Sequence, residues 1–129
     1  MSKQDNLQKV CYQLRQDVPD IDGVMIASME GLTIATDFSE EESARVAAVC
    51  AAALGLGSRI VRNARLGEVD EITVEGKDGK LLIYVAGPTG VLAVRTTGVN
   101  LGLARLEAAS AARQVGMILS STGRLQSAS

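Results

Sequence analysis

Between Glu40 and Ala64 the sequence describes a long helix that has no polar face through its middle. Val46, Val49, Ala53, Leu56 and Ile60 recur at steps of three and four and form one apolar stripe. Ala47, Cys50, Leu54, Gly57 and Val61 form a second. Ala44, Ala48, Ala51, Gly55 and Ser58 make a third face of small residues. A helix that is apolar nearly all round must be covered nearly all round. The chain has 129 residues, enough for one domain and too short for two. Its own sheet can therefore cover only one side of this helix. Either the helix is wrapped within one subunit, or the small face admits a second helix and the chain self-associates. Self-association is the expectation.

The ends of this helix carry their own signals. Ser39 caps the start, and Glu42, three residues on, is placed to reach back and complete a capping box. Glu40, Glu41 and Glu42 face the positive end of the helix dipole, and Arg59, Arg62 and Arg65 the negative end. The acidic run reads as a solvated helix start, with a metal or partner site as the sharper alternative. The arginines read as dipole complement, or as a docking patch for an acidic or phosphorylated partner surface.

Around this helix the pattern predicts seven further elements. Leu7, Val10, Cys11, Leu14 and Val18 place one apolar stripe on a first helix, about Ser2 to Asp17, stopped by Pro19 and the Asp22-Gly23 pair. Val24 to Ala27 and Leu32 to Thr36 make a hairpin about the turn Met29-Glu30-Gly31. Ile72 and Val74 alternate with Glu71, Thr73 and Glu75, as in an edge strand. Leu81–Ala86 and Val91–Val94 are continuously apolar, as strands buried on both faces are. The last helix opens at Asn100 and is expected to end at Gly123. The expected fold class is α+β: a three-layer sandwich around a mainly antiparallel five-stranded sheet. Residues 1–122 form one domain and residues 123–129 a short polar tail.

Composition then removes whole classes of chemistry. There is no histidine, so imidazole catalysis and histidine-bearing metal sites are absent. The two cysteines, Cys11 and Cys50, lie in apolar helical patterns and read as buried thiols of a reducing compartment. A net charge of −2 and three aromatic residues, Tyr12, Phe38 and Tyr84, give no footprint for nucleic acid. No phosphate-binding glycine motif is present; Gly55-Leu56-Gly57 is mid-helix, and Gly76 and Gly79 flank a hairpin. The carboxylates at Asp20/Asp22 and Glu68/Asp70/Glu71 read as solvated loop residues. The N-terminal residues carry no apolar leader, and Val46–Ser58 is shorter than the ~20 residues of a membrane span. A cytoplasmic protein without cofactor, metal or small-molecule substrate is expected.

Gly23-Val24-Met25-Ile26-Ala27-Ser28 with Glu30-Gly31-Leu32, the Ala-rich second helix, and Asn100-Leu101-Gly102-Leu103-Ala104-Arg105-Leu106 carry a resemblance. The chain resembles the roadblock / dynein-light-chain superfamily, and within it the prokaryotic MglB-like branch. The resemblance implies the roadblock fold, with the second helix on one sheet face and the terminal helices on the other. It implies a two-fold homodimer in which edge strands pair and second helices pack. The implied interface here is Ile72, Thr73, Val74 and Glu75 together with Ala47, Ala51, Leu54 and Ser58. MglB-like members bind a Ras-like small GTPase and stimulate its GTP hydrolysis without catalytic residues of their own. The resemblance therefore implies a non-enzymatic, homodimeric GTPase regulator, and assigns no arginine finger. Arg45, Arg59 and Arg62 are the candidate partner contacts. The alternatives are a scaffold that organises GTPase or kinase complexes without altering hydrolysis, and a small-molecule sensor or enzyme.

Overall fold

The computed structural model describes residues 2–98 and 100–128, with side chains through Ser121. Its elements are α1 (Lys3–Asp17), β1 (Ile21–Ser28), β2 (Thr33–Thr36), α2 (Glu40–Asn63), β3 (Glu71–Gly76), β4 (Gly79–Ala86), β5 (Gly90–Thr96) and α3 (Leu101–Ala128). The five strands form one sheet in the order β2-β1-β5-β4-β3, every neighbouring pair antiparallel. β2 and β3 are its edges.

Strand periodicity splits the core in two. Val24, Ile26, Leu82, Tyr84, Leu92 and Val94 point to one side, where Leu7, Cys11 and Leu14 of α1 and Ala104, Ala108 and Val115 of α3 cover them. Met25, Ala27, Ile83, Val91 and Ala93 point to the other, where they meet Ala47, Cys50 and Leu54 of α2. The three interior strands, β1, β5 and β4, are thus buried on both faces, which is why they read as unbroken apolar runs.

Small residues set the close approaches. Gly116 of α3 lies against Gly87 of the β4–β5 turn; a Cβ on Gly116 would stand 2.8 Å from the Gly87 nitrogen. Gly57 of α2 sits on Ile72 of β3, where a Cβ would meet the Ile72 Cδ1 at 2.6 Å. Gly31, at φ +89, turns the β1–β2 hairpin against Ala47, Ala48 and Ala51. The small face of α2 is thus partly taken up by the chain's own hairpin rather than left for a second helix.

Several expectations need correction. Asp22-Gly23 does not form a turn but lies within β1, where the register shifts between Ile21 and Gly23. Gly23 is needed there because the Phe38 ring fills the place of its Cβ. The Ser39 Oγ accepts from the Glu42 N–H at 3.2 Å, but Glu42 does not close a capping box. Its carboxylate instead accepts from Arg95 Nη1 at 3.2 Å, a stronger, charge-assisted bond. α3 continues through Gly123 to Ala128; a helical glycine costs only ~1 kcal/mol and does not by itself end a helix. Length does not exclude a membrane span either, since α2 has 24 residues and a window of mean hydropathy 1.5. What the fold shows instead is Ser43, Ala47, Cys50 and Leu54 buried on one face of α2.

Candidate interaction surface

α2 crosses the sheet with its second stripe down; of its first stripe, Val46 and Ala53 pack against the edge of that core, while Val49, Leu56 and Ile60 face outward. Val49, Leu56 and Ile60 are 61%, 59% and 56% exposed, and Val74 on the neighbouring edge strand is 52% exposed. Large aliphatic side chains left this open and adjacent mark a surface for another protein. Between α2 and β3 runs an apolar groove of about 350 Å³ lined by Ala53, Leu56, Gly57, Ile60, Val69 and Ile72. Groove, outer helix stripe and free strand edge are contiguous.

A polar network holds this edge strand in place. The Glu71 carboxylate accepts from the Tyr84 hydroxyl at 2.8 Å and from Arg105 Nε at 3.0 Å, and also from the Thr73 hydroxyl. Arg105 also donates to Thr73 Oγ1 at 3.2 Å, tying α3 to β3. Burial pushes the Glu71 carboxyl up, but the bonds from Thr73 and Tyr84 and the charge of Arg105 outweigh it, leaving it below the usual carboxylate range. Burial and the Glu71 bond together raise the Tyr84 phenol above its usual value. The Asp22 carboxylate accepts from Arg95 Nε at 2.8 Å, while the Arg95 guanidinium lies 4.8 Å over the Phe38 ring. Arg95 thereby pins the start of α2 to the sheet. Asp22 and Glu71 are therefore structural partners rather than solvated loop carboxylates.

The residues of the expected interface differ in exposure. Ala47 and Leu54 are 0% and 2% exposed, against their own sheet, and are not available to a partner. Ala51 and Ser58 are half-buried on the side away from β3. Ile72 and Thr73 are half-buried on β3, while Val74 and Glu75 are exposed. Val49, Leu56 and Ile60, which the sequence reading did not assign to the interface, are the most open apolar residues of α2. Their signal was present, since they belong to the first stripe. Of the arginines, Arg45 bonds Glu41 one turn away at 3.0 Å. It stands about 21 Å of helix axis from Arg59. Arg59 is exposed and flanks Leu56 and Ile60, whereas Arg62 lines a separate cavity with Met29, Ser58, Glu68 and Pro88. The three do not form one patch.

The thiols are buried, and burial pushes Cys11 up to about 12 and Cys50 up to about 11. Both stay protonated at neutral pH, which suits core packing rather than nucleophilic work. Among the described residues no group of three His, Cys, Asp or Glu side chains converges to hold a metal ion.

Three layers about an antiparallel sheet, with a free edge and exposed apolar residues of α2 beside it, define an open-sheet α+β domain with an uncovered apolar surface. The chain belongs to the Roadblock/LC7 domain family, which matches residues 7–96. An uncharacterized protein of Methanocaldococcus jannaschii is 35% identical over 97 residues, spanning 74% of this chain and 84% of the relative. The Roadblock/LC7 domain structure from Streptomyces avermitilis superposes with a TM-score of 0.82 at 23% identity, over 87% of this chain and 96% of that one. MglB of Myxococcus xanthus superposes with a TM-score of 0.81 at 21% identity, over 90% and 96%. The roadblock fold and its likeness to MglB, expected from the sequence, therefore hold.

Proposed function

We propose that this chain is a non-catalytic, cytoplasmic regulator of a Ras-like small GTPase, acting as a homodimer and stimulating GTP hydrolysis. The observation that carries the reading is the contiguous apolar surface of Val49, Leu56, Ile60 and Val74 beside the free edge of β3. Such a surface is completed by a second copy placed with β3 against β3 and α2 against α2, which hides both edge and stripe. The revised interface is Val49, Leu56, Ile60, Ile72, Thr73, Val74 and Glu75. Family membership and the MglB-like resemblance supply the GTPase as partner. Arg45 and Arg59, exposed on α2, are the contacts proposed toward it; Arg62, set apart in its cavity, is a third.

The test is the mass of the complex with a Ras-like GTPase of the same organism, loaded with GDP or a non-hydrolysable GTP analogue. The expected result is a two-chain species that binds the GTP-analogue form and speeds GTP turnover. Binding with unchanged turnover identifies the scaffold reading. Absence of binding in both nucleotide states overturns the proposal.

A further inference from the structure

An open five-stranded sheet has two edges, and this chain treats them differently. We propose that α1 seals the β2 edge with its own side chains, so that a second copy can extend the sheet only at β3. On β2, Ala35 pairs with Ile26 of β1, and the carbonyls of Ile34 and Thr36 on either side of it accept from outside the sheet. Gln4 Nε2 donates to the Ile34 carbonyl at 2.6 Å, and Gln8 Nε2 donates to the Thr36 carbonyl at 3.0 Å. An incoming strand would need these acceptors. The fit follows from two periods. Residues four apart on a helix rise about 6 Å, and residues two apart on a strand rise about 6.6 Å. One turn of α1 thus matches one repeat of the ladder, and two glutamine amides stand where a neighbouring strand's N–H groups would be.

β3 has no such cover. Among the described residues, the only hydrogen bonds to β3 beyond its ladder with β4 involve the side chains of Glu71 and Thr73, Glu75 adds an ion pair with Lys80 at 3.9 Å, and none of these reaches the β3 backbone. The contrast is not one of shape. Beside β2 lies another open groove, lined by Leu32, Thr33, Phe38, Ser43 and Ala44. A groove and a bare edge there would make the chain two-ended, and two-ended sheets assemble without limit. With one edge sealed, assembly closes at a pair.

The proposal is tested on the full chain by light scattering over a wide concentration range, comparing wild type with Gln4→Ala/Gln8→Ala. The expected result is a wild-type mass that stays fixed and a variant mass that climbs at least about twofold above it, with native circular dichroism. Gln4→Lys/Gln8→Lys should restore the wild-type mass, because ammonium groups also donate to the two carbonyls. The proposal leans on the β3 dimer only for the wild-type mass, so Val74→Lys is added to the double alanine variant to separate the two. With β3 closed, that triple variant should stop at two chains, joined through β2. A single-chain wild type would remove the β3 dimer yet leave the alanine variant gaining a copy. A double alanine variant that keeps the wild-type mass at every concentration overturns the seal. So does a rise in mass accompanied by loss of helical signal, since aggregation of unfolded chain needs no edge.

Discussion

Gly116 shows how narrowly a single position can be fixed. A Cβ there would stand 2.8 Å from the nitrogen and 3.0 Å from the Cα of Gly87. Both neighbours are backbone, so neither can swing away, and α3 would have to lift from the β4–β5 turn. Gly116→Ala should therefore destabilise by ~1–3 kcal/mol. Gly55→Ala is the control, because nothing lies within 4 Å of its Cβ position; it should stabilise by ~0.5–1 kcal/mol through helix propensity. Urea unfolding of both variants checks the pair, and equal midpoints would refute the close-approach argument. Glu71 makes a second case. Its carboxyl sits below its unfolded-state value in the folded chain, so its contribution is present above the unfolded pKa and is lost as pH falls through the depressed folded one. Glu71→Gln should cost about 1–2 kcal/mol near neutral pH, and the two unfolding free energies should converge in acid. A gap independent of pH would mean the carboxylate charge plays no part. Little of this was legible beforehand. Glu71 reads as one of three loop acids, and nothing local says that Tyr84 and Arg105, 13 and 34 positions away, converge on it.

At the scale of elements, the strands were the most readable part. Period two is set by the pleat, and runs apolar at every position can only be buried on both faces, which located β4 and β5. α2 was readable as a helix but not in its orientation. Two of its stripes are apolar, and hydrophobicity alone ranks the bulkier one, Val46, Val49, Ala53, Leu56 and Ile60, above the one the structure buries. The structure turns down the stripe of Ala47, Cys50, Leu54 and Gly57, whose smaller side chains let the helix approach the sheet, as the contact of Gly57 with Ile72 shows. Of the bulkier stripe, Val49, Leu56 and Ile60 are left outside, and Val46 and Ala53 pack at the margin of the core. This inversion is why Ala47 and Leu54, expected at the interface, are buried against the sheet, while Val49, Leu56 and Ile60 stand open. Two leucines two positions apart thus have opposite duties. Leu54→Ala should cost ~2–5 kcal/mol as a core cavity. Leu56→Ala should change the stability of one chain by no more than ~0.5 kcal/mol. Denaturation at low protein concentration measures both, and a comparable loss at Leu56 would show that α2 is covered from within its own chain.

The whole molecule joins two cores of different completeness. On one side of the sheet, α1 and α3 together cover the strands. On the other, α2 alone covers a sheet of the same width, leaving the groove toward β3 and the outer stripe open. Helices on both faces follow from the sequence pattern, and their assignment to each face from the family resemblance, but this asymmetry follows from neither, because it depends on how α2 lies across five strands. It has a thermodynamic consequence. If a second copy completes the surface, folding and association are linked, and stability depends on how much chain is present. Each tenfold rise in concentration should add about 1.4 kcal/mol per pair of chains, a rise in Tm of about 2–6 °C. Leu56→Lys puts a charge at the centre of the proposed contact and leaves the buried face of α2 untouched. It should abolish the concentration dependence and yield a single-chain mass while keeping native circular dichroism. Scanning calorimetry at several concentrations checks this. A wild-type Tm that stays flat would place the completing partner outside this chain, on the GTPase itself, and would turn the search for a pair of chains into a search for a one-to-one complex.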